Sequence, residues 1–314
     1  MSLTPIDLST AVVVGRGVKR PEDVAIATDG TVWLSDERSA CARVEANGAL
    51  TRVGKAGGAP NGINLDRRGR VVIANFGGPT DGYGPLQRLD PQTGIVETLV
   101  GAIGGRKLFG ANYPLVDSKD RIWCSHSTWG PVDAAFRDLN DGLIFRYDPD
   151  GSVHVLAEGI AFANGIALDY DEHNLYVCET TGCDVLRYPI DSDGSLGEPV
   201  RHGPKLGLSQ REVQHLRPLQ PQVRSQLGMT DGCGFDQDGN LWVTLVMANK
   251  VIAITPAGDV VTMLADPDGR TMRNPTNVSW GGKDLRDLYI GSIATDYVVK
   301  VRSPIPGMPL VHQR

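Results

Sequence analysis

Six oxygen-bearing side chains stand just ahead of short apolar runs: Glu22, Asn61, Asn112, Asn164, Asp231 and Asn277. Their settings are Pro21-Glu22-Asp23-Val24, Pro60-Asn61-Gly62-Ile63, Ala111-Asn112-Tyr113-Pro114, Ala163-Asn164-Gly165-Ile166, Thr230-Asp231-Gly232-Cys233 and Pro275-Thr276-Asn277-Val278. Two are carboxylates and four are amides, so the set offers hard oxygen and neither sulfur nor imidazole. That argues against a structural zinc cage. It suits Ca²⁺, with Mg²⁺, Mn²⁺ or Zn²⁺ as the alternatives. A single Asn or Asp at a strand entry usually just caps a turn. Six at one repeat phase, two of them acids, ask for more. Carboxylates gathered at one point repel unless a cation or a proton sits between them.

The elements that must position these residues are hairpins. In the first unit Val24-Ala25-Ile26 runs through Thr28-Asp29-Gly30 into Thr31-Val32-Trp33-Leu34-Ser35, with β-branched and aromatic residues on either side of a glycine turn. The pattern returns in each unit, and a second hairpin follows in most, as in Leu143–Tyr147 to Ser152–Leu156. The marks fall 39, 51, 52, 67 and 46 residues apart. Four short antiparallel strands at such a period read as propeller blades. The sequence therefore predicts an all-β fold: one six-bladed β-propeller of four-stranded antiparallel blades over residues 1–314, with blades beginning near 21, 60, 111, 163, 230 and 275. The apolar segment 11–14 has no hairpin partner and is expected to complete the last blade and close the ring. Two stretches, 77–86 and 203–227, exceed what the repeat needs and are expected as surface loops. The second has a possible helical turn at 209–214.

The 314 residues are 41% hydrophobic and 22% charged, with a net charge of −6, as a globular chain with a sizeable core would be. No basic cluster points to nucleic acid, and no apolar stretch has the length of a membrane span. The polar first ten residues lack the character of a signal peptide. Five cysteines, Cys41, Cys124, Cys178, Cys183 and Cys233, make a poor disulfide framework and fit a reducing cytoplasm. Cys178 and Cys183 are near enough in sequence for a bridge, which the compartment argument disfavours. Cys233 is expected to point into a blade core.

The chain resembles the gluconolactonase and senescence-marker-protein (regucalcin-like) family of six-bladed propellers over almost its whole length. The residues carrying the resemblance are Pro21-Glu22, Phe162-Ala163-Asn164-Gly165-Ile166-Ala167, Asp231-Gly232 with Phe235-Asp236-Gln237-Asp238-Gly239-Asn240-Leu241-Trp242-Val243, and Pro275-Thr276-Asn277-Val278 with Asp284-Leu285. The resemblance implies a divalent metal held by Glu22, Asn164 and Asp231, with Asn112 lining the same pocket and touching metal or substrate. It also implies that Asp231 is the catalytic carboxylate. Three positions depart from the family pattern: Glu22-Asp23-Val24 stands for glutamate, glycine and proline, Tyr113 follows Asn112 where aspartate is usual, and Gly110 stands where sugar lactonases carry arginine.

In Cys124-Ser125-His126-Ser127-Thr128-Trp129-Gly130, at the end of a blade-three strand, His126 is a candidate general acid/base because its ordinary pKa lies near neutrality. An exposed loop histidine is the plainer alternative. Asn112, Tyr113 and Trp129 are the candidate substrate contacts. No G-x-S-x-G surrounds the serines, so a nucleophile elbow is not expected. The favoured function is metal-dependent hydrolysis of a lactone or related ester, a small-molecule substrate, with no nucleic-acid or membrane partner. Two alternatives stay open: a lyase or isomerase acting through an enolate on a non-sugar substrate, and a non-catalytic binding propeller.

Overall fold

The computed structural model describes residues 3–55, 57–77, 82–131, 133–137 and 139–314. Part of the expected 77–86 loop lies outside these residues. Six four-stranded antiparallel sheets follow one another around a ring. Their innermost strands are Val24–Ile26, Pro60–Leu65, Ala111–Val116, Ala163–Leu168, Thr230–Phe235 and Pro275–Gly281. Five blades are built from consecutive strands. In the sixth, Val12–Val14 pairs with Val298–Arg302 as the outermost strand, so the two ends of the chain share one sheet. This is the closure expected from the segment 11–14.

The hairpins form where an Asp opens the turn. Asp117 Oδ1 accepts the backbone N–H groups of Lys119 and Arg121, both at 2.9 Å, and its Oδ2 takes the Trp123 indole N–H at 2.8 Å. Asp236 repeats the arrangement with Asp238, Asn240 and the Trp242 indole. These side chains supply the turn's hydrogen bonds, so the loop itself needs few others. A blade has two apolar faces and can bury them only against its neighbours. Trp242 of blade five thus packs edge-on against Trp280 of blade six at 5.5 Å, inside a cluster with Val278, Leu288 and Val299.

Within 203–227 the chain makes two short helices, Gln210–Val213 and Pro221–Arg224. The first starts on a capping box in which Ser209 Oγ accepts from Glu212 N and the Glu212 carboxylate accepts from Ser209 N. All five cysteines are free and buried, so Cys178 and Cys183 are not bridged. Among the described residues no helix is long and apolar enough to cross a membrane.

One detail of the inner strands positions the site. In blades two to six the pairing with the second strand slips between Pro60 and Ile63, Ala111 and Pro114, Ala163 and Ile166, Thr230 and Cys233, and Pro275 and Val278. A bulge leaves backbone groups unpaired and turns the local side chains. Hydroxyls from the second strand take up the freed N–H groups: Ser125 Oγ accepts from Tyr113 N and Thr244 Oγ1 from Gly232 N, each at 3.0 Å. In blade one Ser35 Oγ does the same for Asp23 N.

The bulges also fix the repeat phase, and here the sequence reading needs one correction. Pro275 aligns with Pro60, so Thr276, not Asn277, is the equivalent of Asn61. Thr276 Oγ1 donates to Glu22 O at 2.6 Å and joins blade six to blade one. Asn277 belongs to the next layer down the channel.

Candidate active site

Glu22, Asn61, Asn112, Asn164 and Asp231 converge at one mouth of the channel, where each inner strand begins, and line a cavity of about 210 Å³. Above them stand Phe76, Phe162, Met229, Val246, Met247 and Ile293, with Ala135 and Thr180, while Arg20 lies beside Asn61. The apolar members come from positions just after the second strands or just before the inner ones, so the blade ends form walls over a polar floor. Residues 308–314 pass across the channel's other end, where Leu310, Val311 and Gln313 lie against Tyr113 and Trp280.

Two of the amides are fixed by hydroxyls behind them. The Asn112 Nδ2 group donates to Ser127 Oγ at 2.8 Å, and Ser127 in turn donates to Ala163 O of the next blade. Asn164 Nδ2 donates to Thr180 Oγ1 at 3.0 Å. Each amide is therefore anchored through its nitrogen, which leaves the carbonyl oxygen as the atom to offer the cavity. Asn61 is committed differently. Its Oδ1 accepts from Arg20 Nη2 at 2.7 Å, while Arg20 Nη1 donates to Pro60 O.

Arg20 was not singled out by the sequence reading. It stands two residues before Glu22 in the left-handed region, at φ 55°, and brings a fixed positive charge to the cavity. Burial pushes the Glu22 carboxyl well above its ordinary range, and the Asp231 charge adds to this while Arg20 opposes it. Asp231 is pushed up to about 8, again mainly by burial, against the pull of Arg20 and an Asn164 hydrogen bond. Two buried acids in one cavity are costly as a pair of anions, and a proton or cation shared between them relieves the cost.

The donor set fits a hard divalent cation. Among the described residues no group of three or more acids, histidines or cysteines is placed to hold an ion by itself, so amide oxygens must complete any coordination. The anchored Asn112 and Asn164 are suited to that. Glu22, Asp231 and the adjacent Asp23 less the Arg20 guanidinium leave a net charge of −2 when all are ionised, which a divalent ion would offset.

Below this ring lies a second layer at the next residue of each strand: Asp23, Gly62, Tyr113, Gly165, Gly232 and Asn277. The three glycines are places of close approach; a Cβ on Gly165 would meet Gly232 Cα at 2.5 Å. The three large members close the channel. Asn277 Nδ2 donates to Asp23 Oδ1 and lies 3.4 Å from Tyr113 Oη, and Asp23 also accepts from Ile63 N at 2.6 Å. Burial raises Asp23 to about 7. Tyr113, a candidate substrate contact, is thus buried beneath the ring and does not line the cavity.

His126 and Trp129 do not line it either. The His126 ring is fully buried; its Nε2 accepts from Phe109 N at 3.3 Å and Gly110 N at 3.2 Å. Its other face lies against Trp129 at 4.3 Å, and Arg106 covers Trp129 at 4.4 Å. Burial, with Arg106 adding to it, lowers the His126 pKa to about 3. A ring held neutral with its basic nitrogen occupied does not suit proton transfer in the cavity. His126 organises the loop before Asn112, and Trp129 packs on it. Cys233 sits in the core between blades four and five, as expected.

The fold is thus a ring of six blades with acids and anchored amides at one channel mouth, under an apolar-walled cavity. Residues 59–294 match the family model described as SMP-30/Gluconolactonase/LRE-like region, and the chain belongs to that family. It is 32% identical over 177 residues to a 6-deoxy-6-sulfogluconolactonase of Pseudomonas putida, covering 56% of this chain and 52% of that one. It is 22% identical over 252 residues to a gluconolactonase of Zymomonas mobilis, covering 79% and 64%. The chain thus spans about half to two thirds of the length of these relatives. A gluconolactonase structure from Xanthomonas campestris superposes with a TM-score of 0.71 over 94% of this chain and 89% of that one, at 20% identity, a likeness of fold.

Proposed function

We propose that this protein is a divalent-metal-dependent hydrolase that opens the ring of a lactone. The observation that carries the reading is the convergence of Glu22, Asn112, Asn164 and Asp231 on one cavity, with both asparagines anchored through their nitrogens. The lactonases among its relatives support the same reaction class. Glu22, Asn112, Asn164 and Asp231 would hold the cation, with Ca²⁺ first by donor hardness. A bound cation would supply Lewis-acid polarisation of the scissile carbonyl.

The chain's own residues do the rest. Asp231 takes a proton from the attacking water and returns it to the alkoxide that leaves as the ring opens, so the product is a hydroxy acid and one water is consumed. Arg20 favours the ionised form of Asp231 that accepts this proton. Asn61 holds Arg20 in place. The apolar walls limit water and so strengthen these electrostatic terms. His126 is left to the loop and Tyr113 to the floor. The five free, buried thiols fit a reducing, cytoplasmic setting.

The test is lactone hydrolysis followed by acid release, with and without chelator, in the native protein and Asp231→Asn. Turnover should fall by about 10²–10⁴-fold in the variant, with an unchanged circular dichroism spectrum. Full activity of Asp231→Asn, or of the chelated protein, sinks the reading. Product mass separates ring opening, which adds a water, from isomerisation, which adds nothing.

A further inference from the structure

We infer that the substrate is a lactone with an apolar body, an alkyl- or aryl-substituted ring, and not a polyhydroxylated sugar lactone. The inference rests on the hydrolase reading above and specifies what that site accepts.

Polar groups are unevenly distributed in the cavity. Every charged or amide side chain among the described lining residues sits on the floor, and most are engaged: Asn61 and Arg20 by each other, Asn112 by Ser127, Asn164 by Thr180. The floor has oxygen and guanidinium groups enough for one ester function. The described wall residues have almost none. Phe76, Phe162, Met229, Val246, Met247 and Ile293 surround the space above, with Thr180 the one hydroxyl among the described lining residues.

Phe76 and Phe162 lie 6.3 Å apart, and Phe76 is braced edge-on by Phe109 at 6.1 Å. Gly110 makes room for this wall: a Cβ there would meet the Phe76 ring at 3.0 Å and Thr128 O at 3.2 Å. A sugar ring closed into this space would lose water from several hydroxyls without gaining partners, and each such loss weakens binding several-fold or more. An alkyl substituent gains instead. Ile293, 42% exposed at the rim, is an apolar side chain that an alkyl substituent could cover. Met229 and Met247 add unbranched side chains that can follow an irregular apolar shape.

The experiment is a series. The metal-supplemented protein is assayed on unsubstituted γ- and δ-lactones, on the same rings with alkyl chains of increasing length, and on glucono-lactone. We expect kcat/KM to rise roughly fourfold per methylene over the first few buried, and glucono-lactone to fall below the unsubstituted ring. Met247→Gln and Ile293→Asn should flatten the series. Binding of alkylated against polyhydroxylated lactams, which are not turned over, read by thermal shift, should give the same order without depending on catalysis. A flat or falling alkyl series with glucono-lactone preferred overturns the inference and leaves the hydrolase reading standing. No turnover of any lactone, with no preference among lactams, removes both.

Discussion

Lowering the pH should remove stability through His126, while the raised carboxyls of Asp23 and Asp231, which bind a proton more tightly in the folded state, add stability over the same range, so the His126 share is read by difference. The ring is fully buried, its Nε2 accepts two backbone N–H groups, and its pKa is lowered from an ordinary 6.5 to about 3. In the unfolded chain the same imidazole takes up a proton near 6.5. Between these values the unfolded state binds a proton that the folded state refuses. Stability from this group is therefore complete above pH 6.5 and lost as pH falls toward 3, at about 1.4 kcal/mol per pH unit. At pH 5 the loss is about 2 kcal/mol, and at pH 4 about 3 kcal/mol, against a total of about 5–15 kcal/mol for a domain. Urea unfolding followed by tryptophan fluorescence at pH 7, 6 and 5 measures it. His126→Gln keeps an acceptor for Phe109 N and Gly110 N but cannot titrate, so between pH 7 and pH 5 the variant should gain about 2 kcal/mol relative to the native protein, whatever the common trend of the two. Parallel curves for the two proteins would refute the reasoning. Because the ring does not line the cavity, the pH profile of turnover should be the same in both; loss of a limb near pH 6–7 in His126→Gln would return the residue to the catalytic machinery.

Other outcomes follow from the same geometry. Ser127→Ala removes the anchor behind Asn112, and calorimetry should show cation affinity lower by about 10–100-fold; unchanged affinity would mean that Asn112 is not held for a metal. Gly165→Ala forces a methyl to 2.5 Å from Gly232 Cα and 2.7 Å from Asp231 O. It should cost about 1–3 kcal/mol by overpacking, and an unaltered melting temperature would show that blades four and five can slide apart. The Asp231→Asn and alkyl-series experiments test the chemistry and the substrate separately.

The repeat of strand, glycine or Asp turn, and strand was legible because each hairpin is a local event, set by residues a few positions apart. Closure by the segment 11–14 was legible too, since an apolar strand without a hairpin partner must pair elsewhere. The polar marks announced the ring, and Glu22, Asn61, Asn112, Asn164 and Asp231 do meet. In blade six the phase is not legible from residue type, because Asn277 resembles the other marks while Thr276 holds the position. Aligning Pro275 with Pro60 carries the correct register, but only the bulges decide it. Arg20 gave a weaker signal, a lone basic residue beside an acid, and its place follows from a backbone turn that sequence does not specify.

His126, Trp129 and Tyr113 show the other limit. Their residue types suit chemistry, and their nearness to Asn112 in sequence invited it. Whether a side chain enters the cavity, supports the loop above it or plugs the channel beneath it depends on how six sheets meet around one axis. Sequence determined the blades and the kinds of donor that face the axis, because those follow from local pattern and side-chain chemistry. Tertiary structure alone decided which residues face the cavity and how apolar its walls are, because those contacts join residues up to a whole chain apart.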